Sequence, residues 1–266
     1  VNQSLSNLSA NETFQALSVE MHFGVDNRGR ATGASNSAAG LSGGNTVTYS
    51  VSADSFTLSV SHPPVTFNET FTASNRIDAS SSATFTVYAK TGGDVAFVML
   101  KPDDPTLDLS YVTLGNWTSL DSATGNVTNG YLVFGVRTQP GSVPTTGTAT
   151  YNAQTIGTLV DAAGTIYSVA GFGTLSANFS TGTVNGDFTR MAKVNLLTNA
   201  ATAWRDFTTT GTIYGNQFSG PAATKDGKLT GGAAGGFYGS DAAEIGGAYL
   251  MLGGGERAVG GFVGKK

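Results

Sequence analysis

The chain has 266 residues, of which 39% are apolar and 12% charged, and its formal net charge is −4. These values exclude charge-driven disorder, and they exclude a nucleic-acid partner, since the only adjacent basic pair is Lys265-Lys266 and a binding surface needs clustered cations. With no cysteine there are no disulfides, thiolate metal sites or cysteine nucleophiles, and no apolar run approaches the roughly 18–20 residues of a spanning helix.

Period-two alternation dominates from the first third onward, and 37 glycines supply the turns that short strands need. Over Leu17 to Val25 the apolar Leu17, Val19, Met21, Phe23 and Val25 share one face. Ser18, Glu20 and His22 share the other, which predicts a strand with one wet side. Phe56, Leu58 and Val60 alternate with Thr57, Ser59 and Ser61, and Phe85, Val87 and Ala89 alternate with Thr84, Thr86 and Tyr88. Lys101-Pro102-Asp103-Asp104-Pro105 reads as a turn-rich hinge, because each proline removes a ladder donor. Leu107 to Leu114 then reads as a crossing strand, and Gly115-Asn116-Trp117 opens a second region.

Strands follow quickly there: Tyr131–Thr138, Gly147–Tyr151, Ile166–Val169, Gly173–Phe179 and Gly182–Thr189. Met191 to Ala203 is the one stretch with any helical character. Further strands are expected at Phe207–Tyr214, Phe218–Gly220, Gly235–Tyr238, Glu244–Leu252 and Ala258–Val263. Eight to ten antiparallel strands suggest a sandwich or a closed barrel. Closure is expected because the apolar last strand would otherwise be a hazardous bare edge.

No catalytic constellation emerges, so no enzyme is expected. There are two histidines, His22 and His62, neither beside a G-x-S-x-G elbow, and the acids are sparse and mostly in turns. Gly253-Gly254-Gly255 reads as a turn, since no phosphate-loop lysine follows. His62 continues the Phe56, Leu58, Val60 face directly before Pro63-Pro64. An imidazole at the lip of an apolar face suits haem-iron ligation, with Tyr88 or Tyr49 as the second ligand. His22, on the polar face, is not expected to ligate. Haem is thus the one cofactor the residues point to, and no other metal site is expected.

Near the C-terminus, Gly236-Phe237-Tyr238-Gly239-Ser240-Asp241-Ala242-Ala243-Glu244-Ile245-Gly246-Gly247 resembles the closing hairpin of transferrin-binding-protein-B-type barrels. Gly260-Gly261-Phe262-Val263-Gly264-Lys265-Lys266 is similar to the family's ending, with one extra glycine, and Thr146-Gly147-Thr148-Ala149-Thr150-Tyr151 to an upstream strand. The resemblance implies an all-β chain with a handle at 1–115 and an antiparallel barrel of about eight strands at 116–266. Phe237, Phe262 and Phe179 are expected inside that barrel. Phe237 and Tyr238 should face opposite sides, and Glu244, beside Gly246 and Gly247, should cap turn amides or pair with a base. The family further implies an extracytoplasmic protein, lipid-anchored at the outer-membrane surface or secreted. Its members hand haem, iron or a host iron carrier to a TonB-dependent outer-membrane receptor, with ligand contacts on the handle. A structural or adhesive role on the same fold is the alternative, suited by a weakly charged surface rich in Ser, Thr and Asn. Val1 in place of a methionine reads as a processed start.

Overall fold

The structure, a computed structural model, describes residues 2–41 and 43–266, with only the backbone at Ala39. Among the described residues, every named strand falls in one of two antiparallel sheets. The first holds β1 (Glu12–Val25), β2 (Ala31–Ala39), β3 (Thr46–Ser50), β4 (Ser55–His62), β5 (Val65–Thr72), β6 (Phe85–Ala89), β7 (Val95–Leu100), β8 (Val112–Asp121) and β9 (Asn126–Gly135). Its order is β5-β4-β3-β1-β9-β8-β7-β6, and β2 lies on the second half of β1, beyond β3 on the same edge. This curled sheet is the handle.

The second sheet comprises β10 (Thr148–Val160), β11 (Ile166–Asn178), β12 (Thr183–Asn195), β13 (Ala201–Ala203), β14 (Phe207–Tyr214), β15 (Gln217–Thr224), β16 (Thr230–Tyr238), β17 (Glu244–Gly253) and β18 (Glu256–Lys265). Pairing of β10 with β18 and of β11 with β12 closes an eight-stranded ring, and β13 is a short flap on β12. The apolar last strand is paired on both sides, which removes the edge it would otherwise expose.

Three expectations are corrected. The change of sheet falls between Gly135 and Thr148, not at 115/116, because β8 and β9 form a hairpin whose second strand pairs with β1. Leu107 is a turn residue and β8 begins only at Val112, with Asp108 in the left-handed region. Met191 to Ala203 is strand, turn and short strand with no helix, since Asn195 accepts the amides of Leu197 and Thr198 and folds the chain back.

Inward-facing aromatics fill the barrel. Phe179, Phe237 and Phe262 are buried there, and Phe237 packs on both Phe179 and Phe218. Tyr238 faces the other way, into a core shared with the handle that includes Leu17, Val19, Met21 and Val133. The two glycines at 246–247 divide along the same alternation. A side chain at Gly247 would strike Phe262 inside the barrel, and one at Gly246 would strike Val112 and Val133 of the handle. Gly239, with φ of 73°, passes under the Tyr111 ring. Small residues therefore let the handle sit directly on barrel backbone. Glu244 secures the joint: its fully buried carboxylate accepts the amides of Ser110 at 2.7 Å, Tyr111 at 2.7 Å and Val112 at 2.9 Å.

Candidate functional site

The polar side of β1 is buried, contrary to the wet face its alternation suggests. Ser18 and Glu20 are fully enclosed because the β4–β5 hairpin tip folds over them. His62 at that tip places Nε2 3.1 Å from a Glu20 oxygen and 3.2 Å from the Ser18 hydroxyl. Asn45 fastens the arrangement, donating to Ser18 at 2.6 Å and accepting the Ser61 amide at 3.0 Å. His22, half-buried, meets the hydroxyls of Thr128 at 3.1 Å and Ser37 at 2.9 Å, and Ser37 in turn donates to Glu20 at 3.2 Å.

Burial pushes the Glu20 carboxyl above its usual range, against the opposing pull of His62, Ser18 and Ser37. Burial, then the neighbouring His62, holds His22 below the ordinary imidazole value. One Glu20 oxygen and both polar atoms of Asn36 have no partner among the described residues. His22, Phe23 and Pro64 line a cleft of about 460 Å³ at this end of the handle, with Ser35 and Thr128 on its walls. No group of three or more His, Cys, Asp or Glu placed to hold a metal ion occurs among the described residues.

The proposed haem ligands are not brought together. Tyr49 lies opposite Phe56, six residues before His62 on β4, a separation of about 20 Å at roughly 3.3 Å per residue. Tyr49 donates to Asp54 at 3.3 Å, and Tyr88 is paired with Arg76 at that same far end. Burial and Asp54 raise both phenols. The β3–β4 register puts Tyr49 on the same side of the sheet as His62 but at its other end. The apolar wall foreseen for a porphyrin is also taken: Phe56, Leu58 and Val60 are packed in the handle core, where Phe67 stacks on Trp117 at 4.0 Å.

A different feature escaped sequence reasoning. At the edge where handle meets barrel, Leu196 and Leu197 on the β12–β13 turn are 55% and 58% exposed. Leu197 lies against Gly29 in the β1–β2 turn, whose form Asp26 sets by accepting the amides of Arg28 and Arg30. Val25 and Leu120, both exposed, extend the apolar edge on the handle side, Leu120 through the row it shares with Val127 and Phe23. Arg28 and Arg30 are exposed on its rim and make no ion pair among the described residues. Contiguous apolar surface rimmed by polar groups marks an interaction site. The ends of β1 and β8 and the β12–β13 turn make it, three segments far apart in the chain.

Comparison with known proteins gives the same fold. Residues 143–266 match the family described as the C-lobe and N-lobe beta barrels of Tf-binding protein B. No curated protein sequence matches significantly. Among solved structures, isotype 1 transferrin binding protein B from serogroup B Neisseria meningitidis aligns over 94% of this chain and 43% of its own, with 18% identity and a TM-score of 0.55. The chain thus spans less than half of that relative. Intact Ap-TbpB, with N and C lobes, aligns over 96% and 77% with 12% identity and a TM-score of 0.51. The haemoglobin receptor HpuA from Kingella denitrificans aligns over 99% and 90%, with 19% identity and a TM-score of 0.42.

Proposed function

We propose that this chain, a handle-and-barrel protein like transferrin-binding protein B, is an extracytoplasmic capture protein that engages an iron-carrier protein by surface contact and presents its cargo to an outer-membrane receptor. The apolar edge of Val25, Leu120, Leu196 and Leu197, with Arg28 and Arg30 on its rim, carries this reading. It joins turns of the handle and the barrel on a scaffold whose shared core holds them in place, as a docking surface requires. The basic rim favours an acidic face on the partner. No described helix is long and apolar enough to cross a membrane.

Surface plasmon resonance against transferrin and haemoglobin, with and without iron or haem, tests the reading. Leu196→Asp with Leu197→Asp is expected to weaken capture at least thirtyfold, the loss typical of two central contacts of about 2 kcal/mol or more between them. Both positions are exposed turn residues, so the unfolding midpoint should stay put. Failure of both carriers to bind the parent protein, or equal binding by the double variant, would overturn the docking assignment.

A second reading, direct haem capture, is favoured by His22 and Pro64 lining one cleft, with His62 two residues before Pro64 and against the buried Glu20. Iron ligation through Nε2 of His62 would require that nitrogen to leave Glu20, stranding a buried carboxylate at a cost of several kcal/mol. Haemin titration followed by the Soret band decides it. Loss of the shifted band in His62→Ala but not in His22→Ala supports haem at His62, and the reverse moves the ligand to His22. An unshifted band in the parent protein removes haem from the proposal.

A further inference from the structure

The outer face of the barrel carries a polar lattice that no local sequence motif displays. Strand register lines up Thr150, Ser176, Asn185 and Thr210 in one row across β10, β11, β12 and β14. Two residues along, Asn152, Thr174, Asp187 and Thr208 form a second row over the same strands. All eight are exposed. Paired strands lie about 4.8 Å apart, and residues on one face about 7 Å apart along a strand, so the rows form a regular two-dimensional array.

Two contiguous clefts of about 460 and 380 Å³ run over this array and share Thr174 and Asp187. At one end Thr106 and Leu107 of the handle form a wall, and Phe172 stands 45% exposed. Phe172 belongs to the next row, between Gln154 and Thr189, with the Arg190 guanidinium 5.1 Å from the ring centroid. Arg190 braces the ring and supplies donors at its edge. The one acid of the lattice, Asp187, is neutralised by Lys225 at 2.7 Å.

The chemistry of the face selects its occupant. Hydroxyls and carboxamides each donate and accept, so they match a ligand that does the same at every position. A charged protein surface would find only Arg190 and the Asp187–Lys225 pair to answer it, and an apolar segment only Phe172. A sugar ring meets both demands: its hydroxyl rim reads the lattice, and its C–H face packs on an aromatic ring. A flat ice plane also repeats hydroxyls, but barrel strands twist relative to one another, and only a flexible chain can follow that curvature. We propose that this face is a binding site for a neutral polysaccharide, lying along the two clefts with a sugar ring against Phe172. The inference is independent of the iron-carrier reading, because the leucine edge lies at the opposite end of β11 and β12.

Native gel electrophoresis of the full chain through dextran, mannan, galactan and mixed-linkage β-glucan tests it. At least one of these should retard the parent protein. Phe172→Ala, and separately Thr174→Val with Thr208→Val, should each weaken that retardation about tenfold, the size of a lost ring contact or a pair of lost hydrogen bonds. Leu197→Asp should leave it unchanged, so failure of the carrier reading and failure of this one are distinguishable. All these positions point outward, and thermal melts confirm that the variants stay folded. No retardation in any neutral polymer overturns the assignment, as does equal retardation of parent and lattice variants. Retardation only by an anionic polymer, abolished by salt, or ice shaping without glycan binding, also overturns it.

Discussion

Replacing Glu244 with alanine is expected to lower the unfolding free energy by about 3–5 kcal/mol, a large share of a marginally stable fold. The carboxylate is the acceptor for three consecutive amides, those of Ser110, Tyr111 and Val112, at the point where the chain enters β8. Alanine leaves these donors buried, each unmet donor costing about 1–3 kcal/mol before any water enters. Glutamine keeps the shape and one acceptor oxygen but turns an NH2 group toward amides that also donate, so it should recover only part of the loss. Denaturant titration of the three proteins checks this, and a loss below about 1 kcal/mol in Glu244→Ala would mean that solvent satisfies the amides. The damage should concentrate at the handle–barrel joint. Hydrogen exchange at residues 110–112 should therefore rise before exchange in the barrel interior.

Gly260→Val should be comparably severe, at about 3 kcal/mol or more, beyond the usual range for overpacking. A Cβ there would lie 2.5 Å from the Tyr249 hydroxyl and closer still to the carbonyl oxygen of Ile156. The tyrosine is fully buried and packs on Phe207 at 4.7 Å, and the carbonyl belongs to β10, the strand paired with β18. Neither can step aside without opening the ring. Gly232→Ala is the matched control in the same barrel, since the nearest atom to its Cβ is 3.6 Å away and its φ is unexceptional. That substitution should be neutral or slightly stabilising, because it removes backbone freedom from the unfolded chain. Equal midpoints for the two variants would show that the barrel can expand to accept a side chain, contrary to close packing around Tyr249.

The all-β class and the opposed faces of Phe237 and Tyr238 were legible in the chain, and closure of the barrel was legible from its apolar last strand and the family run. The first two follow from period-two alternation and glycine spacing, which act between near neighbours in the chain. The family run at 236–247 was legible as a motif, although Gly239 and Gly246 answer to Tyr111, Val112 and Val133 of the handle rather than to their own hairpin. The other features depend on which strands become neighbours. The boundary moved past β9 because that strand pairs with β1, more than 100 residues earlier. Ser18, Glu20 and His22 alternate as a wet face should, yet the arrival of His62 over them turned that face into a buried polar cluster. Tyr49 on β3 and His62 on β4 share a face of the sheet but sit at opposite ends of it. The leucine edge comes from two strand ends and one turn, and the hydroxyl lattice from the register of four strands. Side-chain alternation is a local property of a strand, whereas register and strand order are set by long-range packing, and both binding surfaces are products of the latter.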